Sequence, residues 1–215
     1  ANVAGVELLL LSLLEHAPGA TIRVTFLPAD EALRAWAARF PEVTLRTEPL
    51  PGAYGWNVKP QALLEAMDAG ADEVIWIDAD IIAAGPVAPL FADVGRDTIV
   101  VAEECAWGQH QGGTHRTAAW GLRIGRSLPV TANTGVLRVT REHRPLLLDW
   151  QALLESPGYR EVQARPPLER PIHMVGDQEV FTALLGAEQH ARLPVRFLRR
   201  GVDIVVACPG RLEDL

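Results

Sequence analysis

Apolar residues run almost all round the segment from Val6 to His16 and stop at Pro18-Gly19, a pattern that predicts a helix. Ile22, Val24 and Phe26 then alternate with Thr21, Arg23 and Thr25, the period of a strand. Pro28-Ala-Asp30 opens a second predicted helix with Leu33, Trp36, Ala37 and Phe40 on one side, and Val43 and Leu45 mark a short strand. After a Pro- and Gly-rich loop, Glu48 to Asn57, a helix is predicted from Pro60 to Asp68, stopped by Gly70. Glu73 to Asp78 is a compact apolar run, read as a central strand buried on both faces. Thr98–Ala102 repeats that pattern. Val136, Leu137 and Val139 form a further strand after an Asn133-Thr134-Gly135 turn, beyond a long loop. Pro145 delays the next helix to about Arg144, and it runs to Glu155. Asp177 reads as the N-cap of a helix carrying Val180, Phe181, Leu184 and Leu185 and closed by Gly186, with late strands around Val195 and Val205.

This alternation predicts an α/β fold with helices against a sheet. The pattern opens on a helix where a doubly wound fold opens on a strand, so the expectation is one domain over residues 1–215 whose first strand precedes Ala1. Composition agrees with a globular domain: 215 residues, 48% hydrophobic and 22% charged, long enough to bury roughly 70% of the unfolded surface. A net charge of -7 with scattered acids excludes the basic surface of a nucleic-acid binder, so no nucleic acid partner is expected. Two cysteines, Cys105 and Cys208, lie far apart outside any CxxC spacing, which fits a reducing cytoplasm. Val6 to Leu14, interrupted by Glu7 and Ser12, is too short to cross ~30 Å of hydrocarbon and lacks a basic leader, so neither a transmembrane segment nor a signal peptide is expected.

Nineteen arginines stand against one lysine, Lys59, preceded by Asn57-Val58 rather than the glycine of a P-loop. Lys59 falls at a predicted helix start, where the helix dipole adds positive potential. Asp78 and Asp80 end a strand at the carboxyl edge of the sheet, where open α/β folds bind ligands. If the backbone stayed extended, their Cα atoms would lie ~6.6 Å apart on one side and two carboxylates could share a hard cation such as Mn²⁺ or Mg²⁺. A turn or helix-cap aspartate is the plainer reading of the same pair. The loop Glu103–Val130 holds Glu104, Trp107, His110, His115 and Trp120, a composition suited to a lid or to a surface insert. Tyr54 and Trp56 can stack on a base or sugar, or simply pack.

Four motifs in order, Lys59-Pro60, Asp78-Ala79-Asp80, Asn133-Thr134-Gly135 and Gly176-Asp177-Gln178, resemble those of nucleotide-sugar glycosyltransferases of the GT-A fold over residues 57 to 186. The chain looks most like the glycogenin and lipopolysaccharide galactosyltransferase family, family 8-like. The resemblance implies a GT-A-like single domain with a Rossmann-like mixed sheet flanked by helices. It also implies metal-dependent transfer of a sugar from a nucleoside diphosphate sugar, a UDP-sugar above all, to an unidentified acceptor with retention of anomeric configuration. Under it Asp78 and Asp80 hold Mn²⁺ or Mg²⁺, with Asp78 shared with the nucleotide ribose. Lys59 faces the donor phosphates, Asn133 bonds donor-sugar or acceptor hydroxyls, Gly135 permits the substrate a close approach to the backbone, and Asp177 and Gln178 lie beside the anomeric carbon as the catalytic pair. The family's C-terminal His-x-x-Gly-x-x-Lys-Pro-Trp segment does not follow Val206; two readings stand, that it lies beyond Leu215 or that it is missing, which would weaken metal affinity and donor closure. The third metal ligand is then unassigned, with His173 the nearest by sequence and a structural role its plainer reading. Two rivals remain: a noncatalytic sugar-nucleotide or partner-binding module on the same fold, and a haloacid dehalogenase-type phosphatase. The phosphatase motif wants Thr or Val where Ile82 stands and a second lysine that the chain lacks.

Overall fold

The computed structural model describes residues 3–25, 31–46, 48–104 and 111–199, and only the backbone of Trp56. The expectations that fall on Pro28–Asp30, Cys105, Trp107, His110, Val205 and Cys208 lie outside the described residues. The chain divides into two compact units: one holds the described residues up to Ala53 and Asp78–Ala92, the other Tyr54–Ile77 and those from Asp93 onward. Among the described residues no helix is long and apolar enough to cross a membrane.

The first unit contains α1 (Val3–His16), β1 (Ile22–Val24), α2 (Glu31–Ala37) and β2 (Val43–Leu45). β1 and β2 pair in parallel, Ile22 opposite Val43, with α2 between them in sequence as a parallel crossover requires. Ile22, Val24, Val43 and Leu45 recur every second residue, so all four face one cluster around buried Val6, Leu10 and Leu33. Although apolar all round, α1 buries one face only and leaves Leu8 and Leu11 exposed. Its Ser12, which interrupts the apolar run, donates to Leu9 O and accepts from Ala83 N–H, so this polar residue anchors the segment that follows the aspartates.

The second unit is built on a four-stranded mixed sheet in the order β3-β7-β4-β8: β3 (Glu73–Ile77), β7 (Ala132–Thr140), β4 (Ile99–Glu103) and β8 (Val195–Leu198). β7 is antiparallel to both neighbours, and β4 and β8 are parallel. Helices α3 (Val58–Asp68), α5 (Arg144–Glu155) and α7 (Asp177–Gly186) supply Leu63, Leu146, Trp150 and Phe181 to a core shared with Ile99, Val101, Leu137 and Val139 of the sheet. β4 and β7 are thus the strands buried on both faces. β3, expected to be central, takes an edge of this sheet and is half-buried. An apolar run of five residues reads alike at either rank, and the nine-residue β7 fills the interior.

The predicted long loop between β4 and β7 is partly structured. Gly112 lies where β5 (Gln111–Gly113) pairs with β6 (Leu128–Val130), and a Cβ there would clash with the Leu128 carbonyl oxygen. Between these strands α4 (His115–Ala119) packs on α7. α6 (Pro157–Gln163), capped by the Ser156 hydroxyl, was not foreseen.

A 3₁₀ turn at Arg141–His143 precedes α5, and fully buried His143 closes it. Its Nδ1 accepts from Thr140 N–H at 2.9 Å and its Nε2 donates to Asp97 O at 2.9 Å, an arrangement that requires neutral imidazole. Burial lowers its pKa from the ordinary 6.5, and Arg138 adds to this against the opposing pull of Glu142 and Asp97. The unfolded chain therefore takes up a proton here that the folded chain refuses. The associated stability is complete above pH 6.5 and drains away as the pH falls below it, by up to about 1.4 kcal/mol per pH unit. Urea unfolding between pH 7 and 5 should show a shallower slope for His143→Gln than for wild type, since His115 and His173, also lowered by burial, keep their share; equal slopes would refute the assignment.

Candidate functional site

α3 begins one residue after Asn57, whose buried side chain accepts from Tyr54 N–H and donates to Glu155 at the end of α5. Pro60 occupies the third helical position, where its missing N–H costs nothing, and Lys59 precedes it. The lysine points inward. Its Nζ lies 3.2 Å from Asp177 Oδ2 and 3.1 Å from Thr134 Oγ1, with the side chains of Lys59 and Asp177 only 7% and 6% exposed. Thr134 Oγ1 in turn donates to Asp177 Oδ2 at 2.6 Å. One buried cation, one carboxylate and one hydroxyl therefore join the starts of α3, β7 and α7.

Asn133-Thr134-Gly135 is part of β7 rather than a turn before it. The local bond expected of an Asn-x-Gly turn is nonetheless present, since Gly135 N–H donates to Asn133 Oδ1 at 2.9 Å. It forms where β7 bulges: Val101 pairs with Leu137 but its neighbour Ala102 pairs with Asn133, leaving Thr134–Val136 outside the β4 ladder. The bulge carries Thr134 to the Lys59–Asp177 pair.

At α7 the N-cap is Gly176, not Asp177. Glu179 reaches back to accept from Gly176 N–H at 3.1 Å, which frees Asp177 to face Lys59. Trp150 Nε1 donates to Asp177 O, and Thr182 Oγ1 accepts from Ala132 N–H, so α7 is pinned to both α5 and β7.

Half-buried Gln178 and Asn133 meet over Glu104. Gln178 Nε2 and Asn133 Nδ2 both donate to Glu104 Oε2, at 2.9 and 3.0 Å. Gln178 Nε2 also donates to Glu179 Oε1 at 3.2 Å. Burial raises the Glu179 carboxyl, against hydrogen bonds and the nearby Arg116 guanidinium that favour its charged form. Arg116 is itself buried, donates to Gln111 O and is held in its charged form by Glu179 and Glu104 against the cost of burial. The phenol of Tyr159 is pushed well above its ordinary range by burial, with Asp177 and Glu179 adding to the shift.

Five residues singled out in the sequence, Lys59, Asn133, Gly135, Asp177 and Gln178, are thus brought together in the second unit. Asp78 and Asp80 belong to the first unit. β3 ends at Ile77, and Ile81 N–H donates to Asp78 O at 3.1 Å, so the aspartates lie in a turn and the extended spacing does not apply. Asp80 is exposed, Asp78 half-buried, and Ala79 between them packs on the first unit's core. Among the described residues no group of three or more His, Cys, Asp or Glu is placed to hold a metal. His173 sets its ring against the edge of Trp120, and its carbonyl accepts from the indole N–H. Tyr54 is a packing residue: its hydroxyl donates to Leu154 O, and the Arg160 guanidinium lies 4.5 Å from its ring centre. His115 accepts from Arg116 at 2.9 Å.

Sequence reasoning gave no role to Thr134, Arg116 or Glu179 and left Glu104 as one loop residue among several. Glu104 carried a legible signal, an acid directly beyond a buried strand, the same signal that drew attention to Asp78.

No family model matches the chain, and no curated protein matches it. Among solved structures it is similar to a glycosyltransferase involved in the glycosylation of the major capsid of PBCV-1. The two are 14% identical, with a TM-score of 0.48 over 85% of this chain and 81% of that one.

Proposed function

We propose that this protein transfers a sugar from a nucleoside diphosphate sugar, with UDP-sugars the first choice, to an acceptor with retention of anomeric configuration. The observation that carries the reading is the shared hydrogen bonding of Asn133 and Gln178 to Glu104, which stitches together two motifs more than forty residues apart in sequence. Those are the motifs whose order resembles the sugar-binding and anomeric-centre segments of GT-A glycosyltransferases. In this reading Asn133 bonds donor-sugar or acceptor hydroxyls, and Gly135 lets the substrate approach the backbone closely. Gln178 offers its amide dipole to positive charge developing at the anomeric carbon. Asp177 is fixed by Lys59 and Thr134, and Lys59 lends positive potential toward the diphosphate.

Asp78 and Asp80 are the proposed holders of Mn²⁺ or Mg²⁺. Two hard carboxylates on a turn, one of them exposed, fit an oxygen-seeking ion that completes its shell with phosphate oxygens and water. When bound, such an ion neutralises charge on the departing diphosphate.

The test is thermal stability against a panel of nucleoside diphosphate sugars with and without Mn²⁺, in wild type and Asp80→Ala, followed by assay of sugar release. One donor should raise the melting temperature only with metal, by an amount equivalent to about 2.7 kcal/mol at a hundredfold excess over Kd. Asp80→Ala should lose that rise. Binding without sugar release under any metal would instead indicate a noncatalytic module, and no shift with any donor would overturn the proposal.

A further inference from the structure

The Gln178 carboxamide has a defined orientation fixed by chemistry rather than by shape. Its hydrogen bonds among the described residues are both donated by Nε2, one to Glu104 and one to Glu179. Glu104 Oε2 accepts from Asn133 Nδ2 as well as from Gln178, so the reverse orientation would set Oε1 against an oxygen acting as an acceptor and lose the bond to Glu104. Each acid is itself held: Glu179 by Gly176 N–H at the helix cap, Glu104 by the Asn133 amide and by a backbone bond from its own N–H to Thr131 O. Asn133 is fixed in the same way, because its Oδ1 accepts from Gly135 while its Nδ2 donates to Glu104. Among the described residues Gln178 Oε1 accepts no hydrogen bond.

We propose that Glu104 and Glu179 are positioning residues that lock the half-buried Gln178 amide with its N–H groups turned to the protein and its carbonyl oxygen reserved for ligand. The locked oxygen accepts and cannot donate, so it selects a ligand group that is electropositive, a hydroxyl hydrogen or a carbon gaining positive charge, and rejects an anion. Glu104 extends the same control to Asn133, whose second Nδ2 proton is the complementary donor. Together the two amides present one acceptor and one donor, the pair that neighbouring sugar hydroxyls satisfy. The lock rests on the geometry alone; its role in sugar transfer rests on the function proposed above.

The test uses Glu104→Gln, which keeps size and shape but replaces an obligate acceptor with a group that can also donate to a flipped Gln178. Glu179→Gln, which acts on the same amide from the other side, serves if the first variant folds poorly. In ¹⁵N-labelled full-length protein without ligand, the Gln178 side-chain amide protons, assigned by their loss in Gln178→Glu, should be shifted downfield and slow to rotate in wild type. In Glu104→Gln they should move toward free-amide positions while the melting temperature changes little. With the donor found above, kcat should fall by about 10–100-fold with KM altered less, as expected when a reacting group is present but misoriented. Glu104→Asp should recover part of that loss if the shorter carboxylate still reaches the amide. Unchanged Gln178 amide signals in Glu104→Gln would overturn the lock, and changed signals with unchanged kcat would overturn its catalytic role. The spectroscopic arm needs no substrate, so a protein that transfers no sugar would refute the proposed function while the lock is still decided.

Discussion

Lys59→Met should lower the stability of the protein by about 3–5 kcal/mol, because it strands a buried carboxylate. Methionine keeps most of the volume of the lysine stem, so little packing is lost and the effect is electrostatic. Asp177 retains the Thr134 hydroxyl at 2.6 Å but loses the ammonium at 3.2 Å, in surroundings where its side chain is 6% exposed. Asp177→Asn in the same background removes the uncompensated charge and preserves the shape, so the double variant should recover most of the loss. Urea unfolding with unchanged m-values measures both steps. A loss below about 1 kcal/mol for Lys59→Met would mean that water reaches the pair, as in an exposed salt bridge. Sugar transfer should fail in both variants, the double included, which separates what the pair does for folding from what it does for the site.

Much of the fold could be read in advance because its signals are local. The alternation of Ile22 and Val24, the proline that delays α5 to Arg144, and the glycine after α3 each act within one turn or one pleat. The rank of β3 could not be read, since rank depends on which strand lies alongside, and β7 comes from about sixty residues later. The same divide runs through the candidate site. Asn133, Asp177 and Gln178 were recognised from motif order. That Asn133 and Gln178 share one oxygen of Glu104 is a long-range fact with no trace in spacing. Asp177 shows how a local rule misleads: an Asp before an apolar helical run predicts a cap, yet Gly176 with Glu179 performs that task and releases Asp177 for Lys59. The turn at Asp78–Ile81 overrides the strand-end spacing for a similar reason, since the ladder with β7 stops at Ile77.

Trp150→Ala should match the lysine variant in cost, about 3–5 kcal/mol, by a different mechanism. The indole is fully buried in the second unit's core, its ring centre is 4.8 Å from that of Phe181, and its Nε1 donates to Asp177 O at 3.1 Å. Truncation opens a cavity between α5 and α7 and removes a bond to the first turn of α7. Trp150→Phe restores much of the volume but not the bond, so it should cost distinctly less, and what remains above the volume difference is on the order of 1 kcal/mol. Calorimetric melting of both variants separates the two contributions. Equal losses would show that the hydrogen bond, not the filled volume, dominates at this position. The alanine variant should also weaken donor binding, because α7 carries Asp177 and Gln178.

Asp177, Gln178 and Glu179 leave successive positions of one helical turn, about 100° apart around its axis. Asp177 is committed to Lys59, Gln178 to Glu104, and Glu179 to the backbone of Gly176. Rotating the helix by one residue would present each partner with its neighbour's side chain, so the three contacts stand or fall together. The same geometry limits the segment before α7, where Arg170 ties Gln163 to Val175 through its guanidinium. A residue gained or lost at Gly176 that shifted the phase of the helix would break all three contacts at once.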